Sequence, residues 1–404
     1  MLLLRILFLI LLLVSCSTDV EQKNALLESR PAKDIMDLKH IKPYLIELKE
    51  IDSLPVTNKK STAKIRYFEE DIGQMTSTSA KALPAKTNAE TKFSHQTNVS
   101  PKLYQQLLND KRLDRYLLLT FDNDIFAETD YYYTNGFSIG FIHPWFNNRL
   151  FYKLMPDLGQ SSSSLFGMRI QQQMFTPYNP EAVAINPNDR PFSGVLLAEF
   201  FKLSNQSDKG LFLQTSLRLG VIGPASLAGA LQSTAHTLKP TGWDYQIAND
   251  LLINIDMSLQ KALKLNRFVE IAGNFEAGLG TYKSYLGTSA QLRLGNFRSF
   301  SNNISTSTIG LIPHFDKSIT YWFFVEPAIH FVAYDATLNG GMLNKSSPHK
   351  FTNEQIHPIT TQFNTGFSVF YRNTGLSLRW TRISPEFIGG NNHNWGNISL
   401  THNF

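Results

Sequence analysis

The chain has 404 residues, a single cysteine, a formal net charge of +5, 18% charged residues and 12% aromatics. One cysteine rules out disulfides within the chain and thiolate metal centres, and the mild basic excess is not gathered into the stripe that nucleic-acid binding needs. Beyond the first residues no apolar run approaches the about 20 residues of a transmembrane helix, so a membrane protein built from this sequence must cross as a barrel or be held by an anchor.

The opening stretch, MLLLRILFLILLLVSC, reads as a targeting segment. Arg5 is a thin positive region, and Ile6 to Val14 form an apolar run. Leu13-Val14-Ser15-Cys16 has the form of a bacterial lipobox, with small residues for the peptidase and a thiol for the lipid. Residues 1–15 are therefore expected to be a lipoprotein signal peptide and Cys16 the lipidation site. An ordinary signal peptide or an uncleaved anchor is the plainer reading.

Residues 16–113 are expected to be a lipidated periplasmic tether. They are rich in Lys, Glu, Ser, Thr, Ala and Asn. Asp34 to Ile51 suits a short amphipathic helix broken near Pro43, Thr76 to Ser100 is low in complexity, and Pro101 to Arg115 suits a helical lead-in. A peptidoglycan- or partner-binding arm is the alternative.

From Tyr116 the hydrophobic period becomes two. Ile398, Leu400, His402 and Phe404 share one face, and Asn397, Ser399, Thr401 and Asn403 the other. Leu376, Leu378 and Trp380 alternate with Ser377, Arg379 and Thr381. The fold class expected for 114–404 is all-β: a transmembrane antiparallel β-barrel of about twelve strands with a short helix in an extracellular connection. The expected strands are 116–123, 133–144, 164–175, 193–203, 209–221, 249–261, 266–280, 284–295, 320–335, 357–371, 373–384 and 394–404. A soluble sandwich alternates too. The strand lengths, near the roughly 9–11 residues of a tilted bilayer crossing, favour the barrel. So does the aromatic residue that ends the last strand, the feature by which outer-membrane barrels engage assembly machinery. The run Asn302–Phe315 is expected to be a non-strand periplasmic excursion, and the protein a monomer.

If the first strand rises from the periplasm, strands 1, 3 and 5 end at the outer rim. The connections 124–132, 176–192 and 222–248 then lie there together. In LLLTFDNDIFAETDYYYTNG, Asp122, Asn123 and Asp124 close one strand, while Tyr131 to Tyr133 and Thr134 open the next. Side-chain oxygens so gathered suit a hard cation such as calcium. Asn188, Asp189 and Arg190 close the second connection. In the third, Pro224 can start a helix over Ala225–Leu238 that sets Gln232 and His236 at i and i+4 on one face. A neutral histidine there can take a proton from water, and a calcium ion can stabilise an ester oxyanion. Taken one by one, the plainer readings are an Asx turn, an aromatic girdle and a surface histidine. His143, His330 and His402 are read as strand residues; His40, His95, His314, His349, His357 and His393 show no constellation. No Gly-x-Ser-x-Gly elbow, phosphate loop or zinc helix competes.

Taken in order and spacing, these motifs resemble the outer-membrane lipid A 3'-O-deacylase family over roughly 114–404. They are Asp122-Asn123-Asp124, Tyr133-Thr134-Asn135-Gly136, Gln173 to Pro177, Asp189 to Gly194, Gly220 to Pro224, and Gln232 to His236 with Gly242-Trp243 and Gln246. The resemblance implies a twelve-stranded barrel that removes the 3'-linked acyloxyacyl group of lipid A with the help of Ca2+. It implies polar active-site roles for Asn123, Asp124 and Thr134, the first two also as metal ligands, and the role of base for His236. The family places a lysine in the connection after the third strand, where this chain has Tyr178-Asn179-Pro180-Glu181. Arg190 is the candidate substitute for binding substrate, with Gln232. Two rivals remain: a serine-type outer-membrane phospholipase using Ser233 beside His236, and a noncatalytic porin or structural lipoprotein.

Overall fold

The computed structural model describes residues 115–404 except 128, 130, 148–151, 154, 160–161, 181–184, 236–240, 297–303, 306–309 and 312–318. The lipobox, Cys16, the tether with its expected helices, and His236 therefore lie outside the described residues.

The strands are β1 (Tyr116–Asn123), β2 (Tyr132–Ile142), β3 (Ser163–Thr176), β4 (Ser193–Gln206), β5 (Leu211–Ile222), β6 (Asp250–Lys264), β7 (Val269–Gly280), β8 (Lys283–Asn296), β9 (Ile304–Ser305), β10 (Gly310–Leu311), β11 (Thr320–Asp335), β12 (Ile359–Tyr371), β13 (Thr374–Ile383) and β14 (His393–Asn403). Twelve of them close into an antiparallel barrel, and β9 and β10 pair with each other as a small hairpin. That hairpin corrects the expectation that 302–315 holds no strand. Closure runs through β1 and β14, with Tyr116 opposite Asn403 and Asn123 opposite Gly396. It leaves no barrel strand with an open edge.

The period of two sorts the residues to two faces. In β6, Leu251, Ile253 and Ile255 are exposed on the outside, while Leu252, Asn254 and Asp256 are buried within. The outer wall presents Phe275, Leu279, Phe323, Phe331, Phe363 and Leu378 to the surroundings. Such a surface is stable only against lipid. The interior is charged. Glu199 lies 3.4 Å from Arg169 and 3.7 Å from Arg218, and Arg218 lies 3.4 Å from Asp256. A cavity of about 250 Å³ opens beside this ladder. Apolar layers close it toward both ends: Tyr116, Leu118, Ile142, Phe201 and Phe212 on one side, and Tyr133, Phe175, Val195, Ile222 and Tyr282 on the other. No helix among the described residues is long and apolar enough to cross a membrane.

As expected, β1, β3 and β5 end at one rim, opposite the rim that carries Arg115 and Phe404. His143 is not within a strand. It follows β2, and its Nδ1 accepts the Trp145 N–H at 3.1 Å.

Candidate active site on the outer wall

The rim opposite Arg115 and Phe404 carries two constructions, one over the mouth and one on the wall. Over the mouth, long connections fold inward and lock together. Asp335 caps the short helix α2 (Ala336–Asn339): its Oδ1 accepts the Thr337 N–H at 2.9 Å. Arg190 enters from the β3–β4 connection with a fully buried side chain. Its Nη1 meets Glu386 Oε2 at 2.6 Å, its Nη2 donates to Thr337 Oγ1 at 2.7 Å, and its guanidinium lies 4.5 Å over the Phe175 ring. Burial pushes the Glu386 carboxyl up, but the positive charge of Arg190, with His393 and Lys283, outweighs it and holds the group below its ordinary value. Arg190 thus joins three connections. The residue expected to bind substrate in place of the family's lysine thus has its guanidinium committed to Glu386 and Thr337 inside the mouth.

His393 belongs to the same region and was not anticipated. It is buried, stacks on Trp395 with ring centroids 5.2 Å apart, and meets Tyr132 edge-on at 5.4 Å. His349, also passed over, bonds through Nε2 to the Asp189 carbonyl at 2.7 Å. The one available sign was that both lie in polar runs between strongly alternating segments.

On the wall, the β5–β6 connection turns outward. Gly223 (φ 96°) and Leu227 (φ 63°) bend the chain in the left-handed region around the turn Pro224–Ser226, and helix α1 follows over Ala228–Ala235. The helix expected to run unbroken over 225–238 is interrupted at Leu227 for this reason. α1 packs on the outside of β3 and β4. Gln172 Nε2 donates to the Ser226 carbonyl at 2.6 Å, and Met174, Phe192, Ala228 and Trp243 form one cluster. Gly194 makes the approach possible, because a Cβ there would sit 2.3 Å from both Ala228 Cβ and Ser226 Oγ.

Gln232 is buried beneath this helix, its Oε1 accepting the Trp243 Nε1 proton at 2.5 Å. The amide therefore fixes α1 to the segment that follows it. Ser233 donates its hydroxyl back to the Gly229 carbonyl at 2.7 Å. His236 comes directly after Ala235 in the sequence, outside the described residues.

The outer edge of β1 and β2 holds the other expected residues. A register shift between Tyr133 and Asn135 leaves Thr134 unpaired in the ladder. Its Oγ1 lies 2.8 Å from Thr176 Oγ1, and both side chains are buried. Thr176 shares a face of β3 with Met174 and Gln172, so this hydroxyl pair is on the lipid-facing side of the wall. The three residues of Asp122-Asn123-Asp124 part company. Asp122 turns inward, accepting from Tyr133 Oη at 2.8 Å and Asn397 Nδ2 at 2.5 Å. Asn123 Oδ1 accepts the Ile125 N–H at 2.8 Å. Asp124 begins a helical turn to Ala127 with its side chain buried. Phe126 of that turn packs against Phe121, centroids 6.1 Å apart. The three tyrosines are not a girdle: Tyr131 packs on Tyr178, Tyr132 (φ 66°) on Phe387, and Tyr133 on Phe175 and Trp395.

The outer wall thus carries one polar strip, flanked by the turn at Phe126 and by α1. Its polar groups are amide and hydroxyl, with the buried Asp124 carboxylate at the head of the adjoining turn. Among the described residues no three His, Cys, Asp or Glu side chains converge as a metal cluster.

Comparison with known proteins agrees with the family anticipated from the motifs. The sequence model of a family described as Outer membrane protein LpxR matches residues 77–404. The solved structure of LpxR from Salmonella typhimurium is similar, with a TM-score of 0.58, 22% identity, and coverage of 72% of this chain and 100% of that one. The β domain of the Bordetella autotransporter BrkA aligns with a TM-score of 0.37 and 10% identity, covering 72% of this chain and 98% of that one. A likeness at that level says nothing about function. A search among curated proteins finds no match.

Proposed function

Because the chain belongs to the family of the outer membrane protein LpxR, and is a β-barrel of the bacterial outer membrane, we propose that it hydrolyses the 3'-linked acyloxyacyl ester of lipid A at the polar strip on its outer wall. The observation that carries this reading is the burial of Thr134, Thr176 and Gln232 on the side of the wall that faces lipid. A barrel that only conducts solutes keeps its polar groups in the lumen. An enzyme that cuts a membrane lipid needs them outside, at the depth of the ester.

The chemistry assigned to the chain's residues is ordinary ester hydrolysis. His236, carried over from the resemblance, takes a proton from water as the water oxygen bonds to the ester carbonyl carbon. The bond from that carbon to the sugar oxygen then breaks, and His236 returns the proton to the sugar oxygen. The products are the free acyloxyacyl acid and a 3'-hydroxyl. Asn123 has its Oδ1 engaged by Ile125 N–H, so its Nδ2 is the end that donates to the developing oxyanion, with the Thr134 hydroxyl as a second polar contact. Gln232 acts through Trp243 to hold α1, and is a positioning residue.

Asp124 offers a carboxylate and Asn123 the second lone pair of the Oδ1 that already accepts the Ile125 N–H, and such oxygen ligands suit calcium better than zinc. These two supply only part of the six to eight oxygens calcium takes; backbone carbonyls, water and substrate would complete the set. Calcium bound there would supply positive charge for the oxyanion. Chelation is therefore expected to abolish deacylation, and calcium to restore it better than magnesium, as read by mass spectrometry of lipid A. Complete deacylation in excess chelator, or unaltered cation dependence in Asp124→Ala, would overturn the metal assignment.

The cleft itself has a steric test. Gly194→Val places atoms where Ala228 and Ser226 now lie, so α1 must move off the wall. At least a tenfold loss of deacylation is expected while the heat-modifiable barrel band persists on a gel. Wild-type turnover in that variant would show that α1 is not a wall of the site. The serine-lipase rival is disfavoured because the Ser233 proton is already donated to Gly229 within the helix.

A further inference from the structure

Above the wall site lies a second feature that the hydrolysis itself does not use. A pocket of about 220 Å³ opens among the β3–β4, β5–β6 and β11–β12 connections, with Asn179, Asn186, Phe192, Gly242, Tyr245 and His349 in its lining. We propose that it is a saccharide site, holding one sugar ring of the substrate lipid's headgroup. This rests on the reading of the protein as a glycolipid hydrolase.

The pocket is small for a drug-sized ligand and suits a single ring. Its polar groups are set by the fold. Asp189 accepts the Arg190 N–H through Oδ1 at 2.7 Å and the Tyr178 N–H through Oδ2 at 2.9 Å. Both carboxylate oxygens are thus engaged by the backbone. The Asp189 carbonyl takes His349 Nε2 at 2.7 Å. A carbonyl can only accept, so Nε2 carries a proton, and in the tautomer with that single ring proton Nδ1 is an acceptor. Asn186 Oδ1 accepts from Asn188 N–H at 3.1 Å, which makes its amide nitrogen the donor end.

Apolar surface accompanies these groups. Tyr245 is 47% exposed although it belongs to the pocket wall, and Ile185, Pro191 and Phe192 line it as well. A pyranose has an apolar C–H face and a rim of hydroxyls that both donate and accept. An aromatic face with an amide and an imidazole beside it matches that pattern.

The position fits as well. Phe192 lines the pocket and packs on Trp243, centroids 5.2 Å apart, and Trp243 bonds to Gln232 beneath α1. A lipid with its ester on the wall would have its headgroup directly above. The loop bearing His349 is anchored: Asp250 Oδ2 accepts Leu343 and Asn344 N–H at 2.7 and 3.0 Å, and Ser347 Oγ accepts Ala248 N–H at 3.1 Å.

The test is calorimetric titration of the detergent-solubilised full chain with the water-soluble oligosaccharide left after complete O- and N-deacylation of lipopolysaccharide. Saturable binding is expected, weakened at least tenfold in Tyr245→Ala and in His349→Ala and retained in Tyr245→Phe. The exposed Tyr245 variants decide the matter if His349→Ala disturbs the loop. No binding by the wild type, or equal binding by Tyr245→Ala, overturns the proposal. Oligosaccharide binding without lipid A hydrolysis would leave the pocket standing and remove the hydrolase reading. Hydrolysis without binding would do the reverse.

Discussion

Replacing His236 by alanine is expected to slow release of the 3'-acyl group by about 10²–10⁴-fold, roughly 3–5 kcal/mol of barrier, with the heat-modifiable barrel band unchanged. His236 is the histidine of the three connections at the end of β1, β3 and β5. The water must lose a proton as it attacks, and no other neutral base comes from those connections. His236→Gln is expected to fail in the same way, because an amide keeps the polarity and cannot take the proton. Ser233→Ala is expected to retain most activity, since that hydroxyl is spent within α1. A folded His236→Ala barrel with wild-type deacylation would reject the histidine mechanism and return the porin and serine-lipase readings to contention.

Arg190→Ala is expected to cost about 3–5 kcal/mol, the usual consequence of stranding one partner of a buried ion pair. The stranded group is Glu386, which is 13% exposed and loses its 2.6 Å partner. The loss would be read as a lower temperature for conversion of the heat-modifiable band. Arg190→Met with Glu386→Gln is expected to recover much of it, because both charges leave together. The pH dependence follows from the same pair. Glu386 has its carboxyl held below the ordinary value, so its contribution is fully present above that ordinary value. It is lost as the pH falls through the lower folded value. The wild type should therefore lose this increment only in acid, on the low side of the ordinary carboxylate range, and Arg190→Ala should lack the step. An unshifted conversion temperature in Arg190→Ala would mean that the mouth is held by its apolar cluster of Tyr132, Leu338, Phe351 and Phe387 alone.

Much of the barrel is legible in the chain because its signal is local. A residue's side of the wall depends on the parity of its position, and parity survives uncertainty at strand ends. β11 is found over the expected 320–335, and β14 one residue away from its expected span. The same counting puts three connections at one rim, which gathers Asn123, Asp124, Thr134, Arg190 and Gln232 into one end of the molecule. The motif order that pointed to the family is likewise readable along the chain.

Which side of the wall each polar residue serves was decided by the tertiary structure. Asp122 and Asn123 are neighbours, yet the pleat sends one to Tyr133 and Asn397 in the lumen and the other away from it. The unpaired Thr134 escapes simple parity, because the shift in register keeps it beside Thr176. Arg190 was expected to bind substrate in place of a lysine, since nothing near it in the chain announces Glu386, 196 positions away. α1 reaches the outer wall only because Gly194, on a different element, has no side chain. Periodicity is carried by neighbours in sequence and is legible there. The placement of a charge or a helix depends on partners brought together by closure of the barrel, and those partners exist as neighbours only in the folded chain.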